Sequence, residues 1–273
     1  MKHTQYHTTT LYENILEQII SSGVDKKDIT TKHTSVFDEF HVRGKEVTKK
    51  LFEDIDLNDT AQVLDIGCGP GGTCRMIAEK YGCDVTGVDI TTEYIRTAQK
   101  LSELTKTDNL TTFITADANK LPFVNSSFNL IVTQHVQMNI EDKARFYSEI
   151  SRTIRSGGRL VYYDIFKTNN NSNITYPLPW ADNEKQSFME HRTSIHNILA
   201  SYGFIPETFI NQTTDSTKAL QKLLNKIADG SFNVKGQQLF MGDYTVDKLT
   251  NLFEMLNNGT LEMESAVWIK TAL

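Results

Sequence analysis

The stretch Val63-Leu64-Asp65-Ile66-Gly67-Cys68-Gly69-Pro70-Gly71-Gly72 constrains the fold of this chain more than any other. An apolar run ends in an acid and passes through a glycine-rich turn. It then leads into Thr73 to Lys80, where Met76, Ile77 and Ala78 read as the packed side of a helix. A strand, a tight loop and a helix N-terminus are therefore expected. Glycine permits positive φ in such a loop and lets a ligand approach bare backbone, while the first helical amides present donors and a positive dipole end. A cofactor carrying a nucleoside suits that arrangement.

Gly67, Gly69 and Gly72 also satisfy the dinucleotide pattern G-x-G-x-x-G, with Asp89 about 20 residues further on. Asp65 separates the two readings. A carboxylate at the mouth of the loop repels a pyrophosphate, whereas it complements the ammonium and sulfonium of S-adenosylmethionine. The pattern D-x-G-x-G thus favours the methyl donor over NAD.

From Gln62 onward strand and helix patterns alternate, which means a parallel sheet with helices on both faces and binding at the carboxyl ends of the strands. Five expected strands each deliver a candidate there: Asp65, then Asp89-Ile90, Asp117-Ala118, Gln134-His135 and Asp164. Asp89 is placed to accept from vicinal ribose hydroxyls, or alternatively to cap the next helix; Asp117 has an N-cap or turn role as its alternative. One helix is expected up to Ile154, ended by Ser156-Gly157-Gly158, with the fifth strand starting at Arg159. Before the first strand, Leu11, Ile15, Ile19 and Ile20 share a helical face, and Phe37 to Phe52 reads as a second helical region.

In order, these motifs resemble the class I S-adenosylmethionine-dependent methyltransferases over about residues 35 to 273. The resemblance implies a Rossmann-like, seven-stranded, mostly parallel α/β sheet with helices on both faces. It implies S-adenosylmethionine held by Asp65, Gly67, Cys68, Gly69, Asp89, Ile90, Asp117, Ala118 and Gln134, with Asp117 at the adenine amino group. Residues 1–55 would form an N-terminal helical lid and 56–273 the methyltransferase domain, with a helical cap insertion at about 214–257. Phe37-Asp-Glu-Phe-His41 before Gly44, and Gln134-His135-Val136-Gln137-Met138-Asn139, are similar to the sarcosine/dimethylglycine and phosphoethanolamine N-methyltransferases. The phosphobase enzymes use a Tyr-His pair, and Asn139 stands where their His would be, so that dyad does not carry over.

Methyl transfer from a sulfonium is an in-line displacement with a good leaving group, so alignment supplies much of the rate. A base matters when the acceptor arrives as an ammonium; His135 is the first candidate and His41 the second. Tyr6, Tyr12, Tyr163 and Trp180 could offer aromatic faces to a methylated cation, and Arg43 or Arg192 a partner for a carboxylate. Tyr6, Arg43, Asn139 and Trp180 form the expected acceptor set, with the Asn-rich loop up to Pro177-Leu-Pro179-Trp180 facing the substrate.

A net charge of -6 gives no general attraction to phosphate backbones, so a small-molecule partner is expected rather than nucleic acid or membrane. The three cysteines lack C-x-x-C spacing, and neither a metal site nor disulfides are expected. No signal peptide is apparent, which points to a cytoplasmic protein, either monomer or homodimer. The motif Asn/Asp-Pro-Pro-Tyr of adenine and glutamine amino-methyltransferases is absent after the fourth strand. The reading is methyl transfer to the nitrogen of a small amine such as sarcosine or dimethylglycine. The alternatives are C- or O-methylation of a quinone or natural product, a non-catalytic cofactor binder of the same fold, and an NAD-dependent oxidoreductase.

Overall fold

Strand order in the single sheet is β3-β2-β1-β4-β5-β7-β6. The computed structural model describes residues 11–169 and 173–272. The strands are β1 (Gln62–Ile66), β2 (Asp84–Asp89), β3 (Thr111–Thr115), β4 (Phe128–Gln134), β5 (Ile154–Lys167), β6 (Phe204–Asn211) and β7 (Leu261–Lys270). Pairing is parallel from β3 through β5, and β7 runs antiparallel to both of its neighbours. This is the Rossmann-like, mostly parallel sheet that the resemblance implied. Chain order reverses between β1 and β4, and an open parallel sheet leaves a crevice at the carboxyl ends of such a pair.

Ten helices accompany the sheet among the described residues: α1 (Leu11–Ser21), α2 (Thr31–Asp38), α3 (Lys45–Leu51), α4 (Gly72–Tyr81), α5 (Thr92–Thr105), α6 (Lys143–Thr153), α7 (Arg192–Ser201), α8 (Thr213–Ala228), α9 (Lys235–Met241) and α10 (Thr245–Asn257). Strand alternation sorts the side chains to two faces. Leu64 and Ile66 of β1 join Phe146 and Ile150 of α6 and Ile195 and Leu199 of α7. Val63 points the other way, into a core with Ile77 of α4 and Ile95 and Ala98 of α5. Helix α1 buries Leu11, Ile15 and Ile19 against Tyr94, Leu101 and Phe240. Helices α8 and α10 lay Leu220, Leu252 and Met255 over Tyr163, Ile165 and Met263.

Two local expectations need correction, and one helix was not expected. The stretch Phe37 to Phe52 is two helices, not one region, because Arg43 and Gly44 take φ of 70° and 47° and break the ladder between α2 and α3. Strand β5 begins at Ile154, five residues before Arg159. Its register with β4 jumps from Phe128↔Ile154 to Leu130↔Arg159, so the intervening glycines form an irregularity in the strand rather than a helix stop. Helix α9 had no sequence signal of its own. All three cysteines are free and buried. Among the described residues no helix is long and apolar enough to cross a membrane.

Candidate active site

The loop after β1 is tied to β2 before any ligand is considered. The amides of Gly67 and Cys68 both donate to the Val88 carbonyl, at 2.8 and 3.0 Å. Gly67 has φ of 74°, and a Cβ there would lie 2.4 Å from Val136 Cγ2, so both backbone and space require glycine. At Gly69 the amide donates to Asp89 Oδ2 at 3.0 Å, and no atom lies within 4 Å of where a Cβ would be. Bare backbone therefore borders open space.

Asp89 uses its other oxygen as well, accepting from the Thr91 amide at 2.8 Å. It thus braces the glycine loop and the entrance to α5, so the capping alternative is present in the geometry. Each carboxylate oxygen still has a second lone pair for a ligand hydroxyl. Burial raises its pKa, opposed by those amide hydrogen bonds. Asp65 is more isolated. It is 3% exposed, and Cys74 Sγ donates to its Oδ2 at 3.3 Å. Burial pushes its pKa up to about 7, with Asp89 and Glu39 adding like charge. A buried carboxyl with so few donors ionises more readily beside a cation. Asp117 is exposed and accepts from the Asn119 amide at 2.8 Å in a side-chain turn.

Gln134 and His135 close β4. Gln134 donates to Thr73 Oγ1 at 2.7 Å and accepts from Thr48 Oγ1 at 3.3 Å. Thr48 in turn lies 2.9 Å from His41 Nε2, so α3 and α4 are bridged over the end of β4. His135 takes a left-handed φ of 55° while its amide donates to the Tyr163 carbonyl at 2.8 Å. Its ring lies 4.9 Å from Tyr163 and 5.9 Å from His41, centroid to centroid. His135 Nε2 is buried without a hydrogen-bond partner. Burial and then His41 hold its pKa well below the usual imidazole value, and burial pushes His41 down to about 4. Both rings are neutral at pH 7.

These residues border one cleft of about 650 Å³. All nine expected cofactor residues line it, and so do His41, His135 and Asn139. Trp180 does not. It is 5% exposed, packed with Leu178 and Met189, and its Nε1 donates to Ser187 Oγ at 3.0 Å. Its indole is large and apolar enough to be claimed by the core, and the segment reaches the cleft through Lys185, Gln186 and Phe188 instead. Arg43 is also absent from the lining, since it donates to Gln212 Oε1 at 2.7 Å and Glu46 Oε1 at 2.8 Å. Arg192 pairs with Glu264 at 3.0 Å, Tyr12 lies under Lys100, and Tyr163 bonds Ser216 through its hydroxyl. Tyr6 lies outside the described residues.

Sequence reading missed an aromatic end of the cleft. Phe40, Tyr94 and Phe240 converge there, with Phe40 and Phe240 stacked at 4.8 Å. The available signals were Phe40 within the Phe37-Asp-Glu-Phe-His41 motif and Tyr94 within the first turn of α5. A buried ion pair was missed too: Arg75 of α4 donates to Asp38 Oδ2 at 2.5 Å and to the Pro70 carbonyl at 2.7 Å, fastening α2 to the glycine loop.

A switch-point cleft with acids at successive strand tips defines a nucleoside-cofactor enzyme of the Rossmann-like class. The model of a methyltransferase domain family matches residues 57–255, and the chain belongs to that family. Ajmaline N-methyltransferase of Rauvolfia serpentina is 31% identical over 110 residues, 40% of this chain and 38% of that protein. The chain spans less than half the length of the curated relatives that it matches first. Among solved structures, a Haemonchus contortus phosphoethanolamine N-methyltransferase 2 in complex with S-adenosylmethionine superposes with a TM-score of 0.74 at 19% identity, covering 99% of this chain and 59% of that one. A putative sarcosine dimethylglycine methyltransferase from Galdieria sulphuraria gives 0.72 at 16%, covering 95% and 98%. The cofactor is S-adenosylmethionine. The residues present fit it, because the cleft offers uncovered glycine backbone and a buried carboxyl that lacks a counter-charge.

Proposed function

We propose that the chain is a methyltransferase that moves a methyl group from S-adenosylmethionine to the nitrogen of a small amine. The observation that carries this is the neutral, unpartnered His135 Nε2 in an acid-lined cleft. An acid lining attracts an ammonium, and a neutral imidazole accepts the proton that the nitrogen gives up. When bound, the cofactor supplies an electrophilic methyl group on a positively charged sulfur.

In this reading Asp65 takes the cofactor's ammonium and Asp89 its ribose hydroxyls. Gly67, Cys68 and Gly69 offer backbone, Ile90 and Ala118 apolar contact, and Asp117 an acceptor for the adenine amino group. Gln134 joins the floor under His135, His41 sets the neutral surroundings of that ring, and Asn139 contacts the acceptor. The helices up to residue 55 act as a lid and those at about 214–257 as a cap, with Phe40 and Phe240 as their contributions to the wall.

Calorimetry with S-adenosylmethionine, followed by product analysis on amine, phenol and quinone panels, tests the proposal. Methylated amine is the expected product. Absence of cofactor binding sinks the reading, and product from phenols or quinones alone replaces it with O- or C-transfer. Asp89→Ala is expected to weaken cofactor binding by about 1.5–3 kcal/mol, the range for hydrogen bonds to an ionised acceptor. Unchanged affinity removes Asp89 from the site.

Asp65 predicts a pH dependence. Its folded pKa stands above its unfolded value, so in the free protein its burial costs stability as pH rises from about 4 to about 7. A cofactor ammonium favours the ionised form. Cofactor affinity should therefore climb with pH across that window and level off above it. Glu39 and Asp164 are also raised to about 7 by burial, so Asp65→Asn is the control. A profile unaltered by that substitution assigns the dependence elsewhere.

A further inference from the structure

Charge around the cleft is one-sided. Asp65, Asp89, Asp117 and Glu141 line it, as does Asp38, which is already paired with Arg75. Among the described residues Lys185, exposed at the rim, is the single lysine or arginine in the lining. The buried cations nearby are committed elsewhere. The Arg43 side chain is 2% exposed and held by Gln212 and Glu46. Arg75 is spent on Asp38 and the Pro70 carbonyl. Lys143 places its Nζ on the carbonyls of Ile140 and Phe188, behind the cleft wall.

The far end of the cleft from the glycine loop is stitched together locally. Phe188 donates its amide to the Met138 carbonyl at 2.8 Å, and Lys143 gathers Ile140 and Phe188 from behind. Asn139 Nδ2 reaches the His135 carbonyl at 3.5 Å. An apolar wall thus stands beside a neutral amide and a neutral imidazole. A carboxylate or phosphate entering there loses its hydration and meets no buried counter-charge, since the one cation in the lining among the described residues, Lys185, is exposed at the rim; it is unfavourable on both counts. An ammonium is desolvated too but has the acid lining to offset that cost, and a neutral amine carries no charge to desolvate.

We infer that the methyl acceptor is an amine free of carboxylate and phosphate groups, whose apolar body lies on Ile140 and Phe188. This deepens the amine-transfer reading above and rests on it. It also sets the chain apart from the acidic acceptors, sarcosine, dimethylglycine and phosphoethanolamine, that the sequence resemblance implied.

The test compares matched pairs by calorimetry on protein loaded with S-adenosylhomocysteine, so that binding is read without turnover. N-methylphenethylamine is set against N-methylphenylalanine, and N-methylethanolamine against its phosphate ester. The acid-free member should bind about 10–100-fold more tightly in each pair, as an uncompensated charge in a partly desolvated site requires. Phe188→Lys, which adds a cation to the wall, should narrow that gap by strengthening the acid-bearing member. Equal or tighter binding of the acid-bearing members to the unaltered protein overturns the inference, and so does failure of the acid-free members to bind. If acid-free amines bind but give no methylated product with S-adenosylmethionine, charge selection stands and nitrogen transfer falls.

Discussion

Arg75→Met should remove about 3–5 kcal/mol of folding stability, the largest stability loss expected of the substitutions considered. The guanidinium is fully buried and pairs with an Asp38 carboxylate that is 1% exposed. It also donates to the Pro70 and Ala98 carbonyls and to Ser102 Oγ, while Arg75 Nε is buried without a partner. Removing it leaves a buried carboxylate with no counter-charge and frees two carbonyls at once. At about 2–4 °C per kcal/mol the melting temperature should drop well outside experimental error. Asp38 ends α2 and lines the cleft, while Pro70 belongs to the glycine loop, so cofactor affinity should fall with stability. The double variant Asp38→Leu/Arg75→Met should recover part of the loss, because a buried pair replaced by apolar groups is far less costly than a broken one. A melting temperature unchanged in Arg75→Met means the pair is solvated in solution.

His135→Ala is expected to depress turnover by about 10²–10⁴, the usual worth of a positioned proton acceptor, with little change in cofactor affinity. The backbone complicates this test. A φ of 55° is strained for any residue with a Cβ, and such strain is concentrated at functional positions. His135→Gly suits that backbone and should fold at least as well as the parent, separating loss of the imidazole from loss of structure. Burial lowers the pKa of both rings, that of His41 to about 4, so turnover should show no His41 titration from pH 6 to pH 8. Equal losses of turnover and cofactor binding in the glycine variant would reassign His135 to a structural role.

The parts of the cleft legible in sequence are those where local chain geometry and chemistry coincide. Asp65, Gly67 and Gly69 sit within five residues of each other, and a strand-loop-helix turn places them together whatever the rest does. Asp89, Asp117 and Gln134 follow because a parallel sheet brings every strand's carboxyl end to one edge. The acceptor set was harder. Trp180 and Arg43 were assigned by residue type, and type alone does not say whether an indole or a guanidinium faces a ligand or completes a core. Phe240 reaches the cleft from α9, far along the chain from Phe40 and Tyr94, through packing that no short motif records.

The order of strand and helix patterns, with acids at the tips of the first three strands, determined the sheet, its crevice and the kind of cofactor the crevice suits. Those features rest on periodicity, backbone freedom at glycine and the charge of a few carboxylates, all of which act over short stretches of chain. Tertiary structure alone decided which cations are spent inside the fold and which reach the cleft. It also set the burial that neutralises His41 and His135 and lifts Asp65 to about 7. Ion pairing and desolvation depend on neighbours that arrive from distant segments, so the charge a cleft presents to its acceptor is a property of the packed molecule.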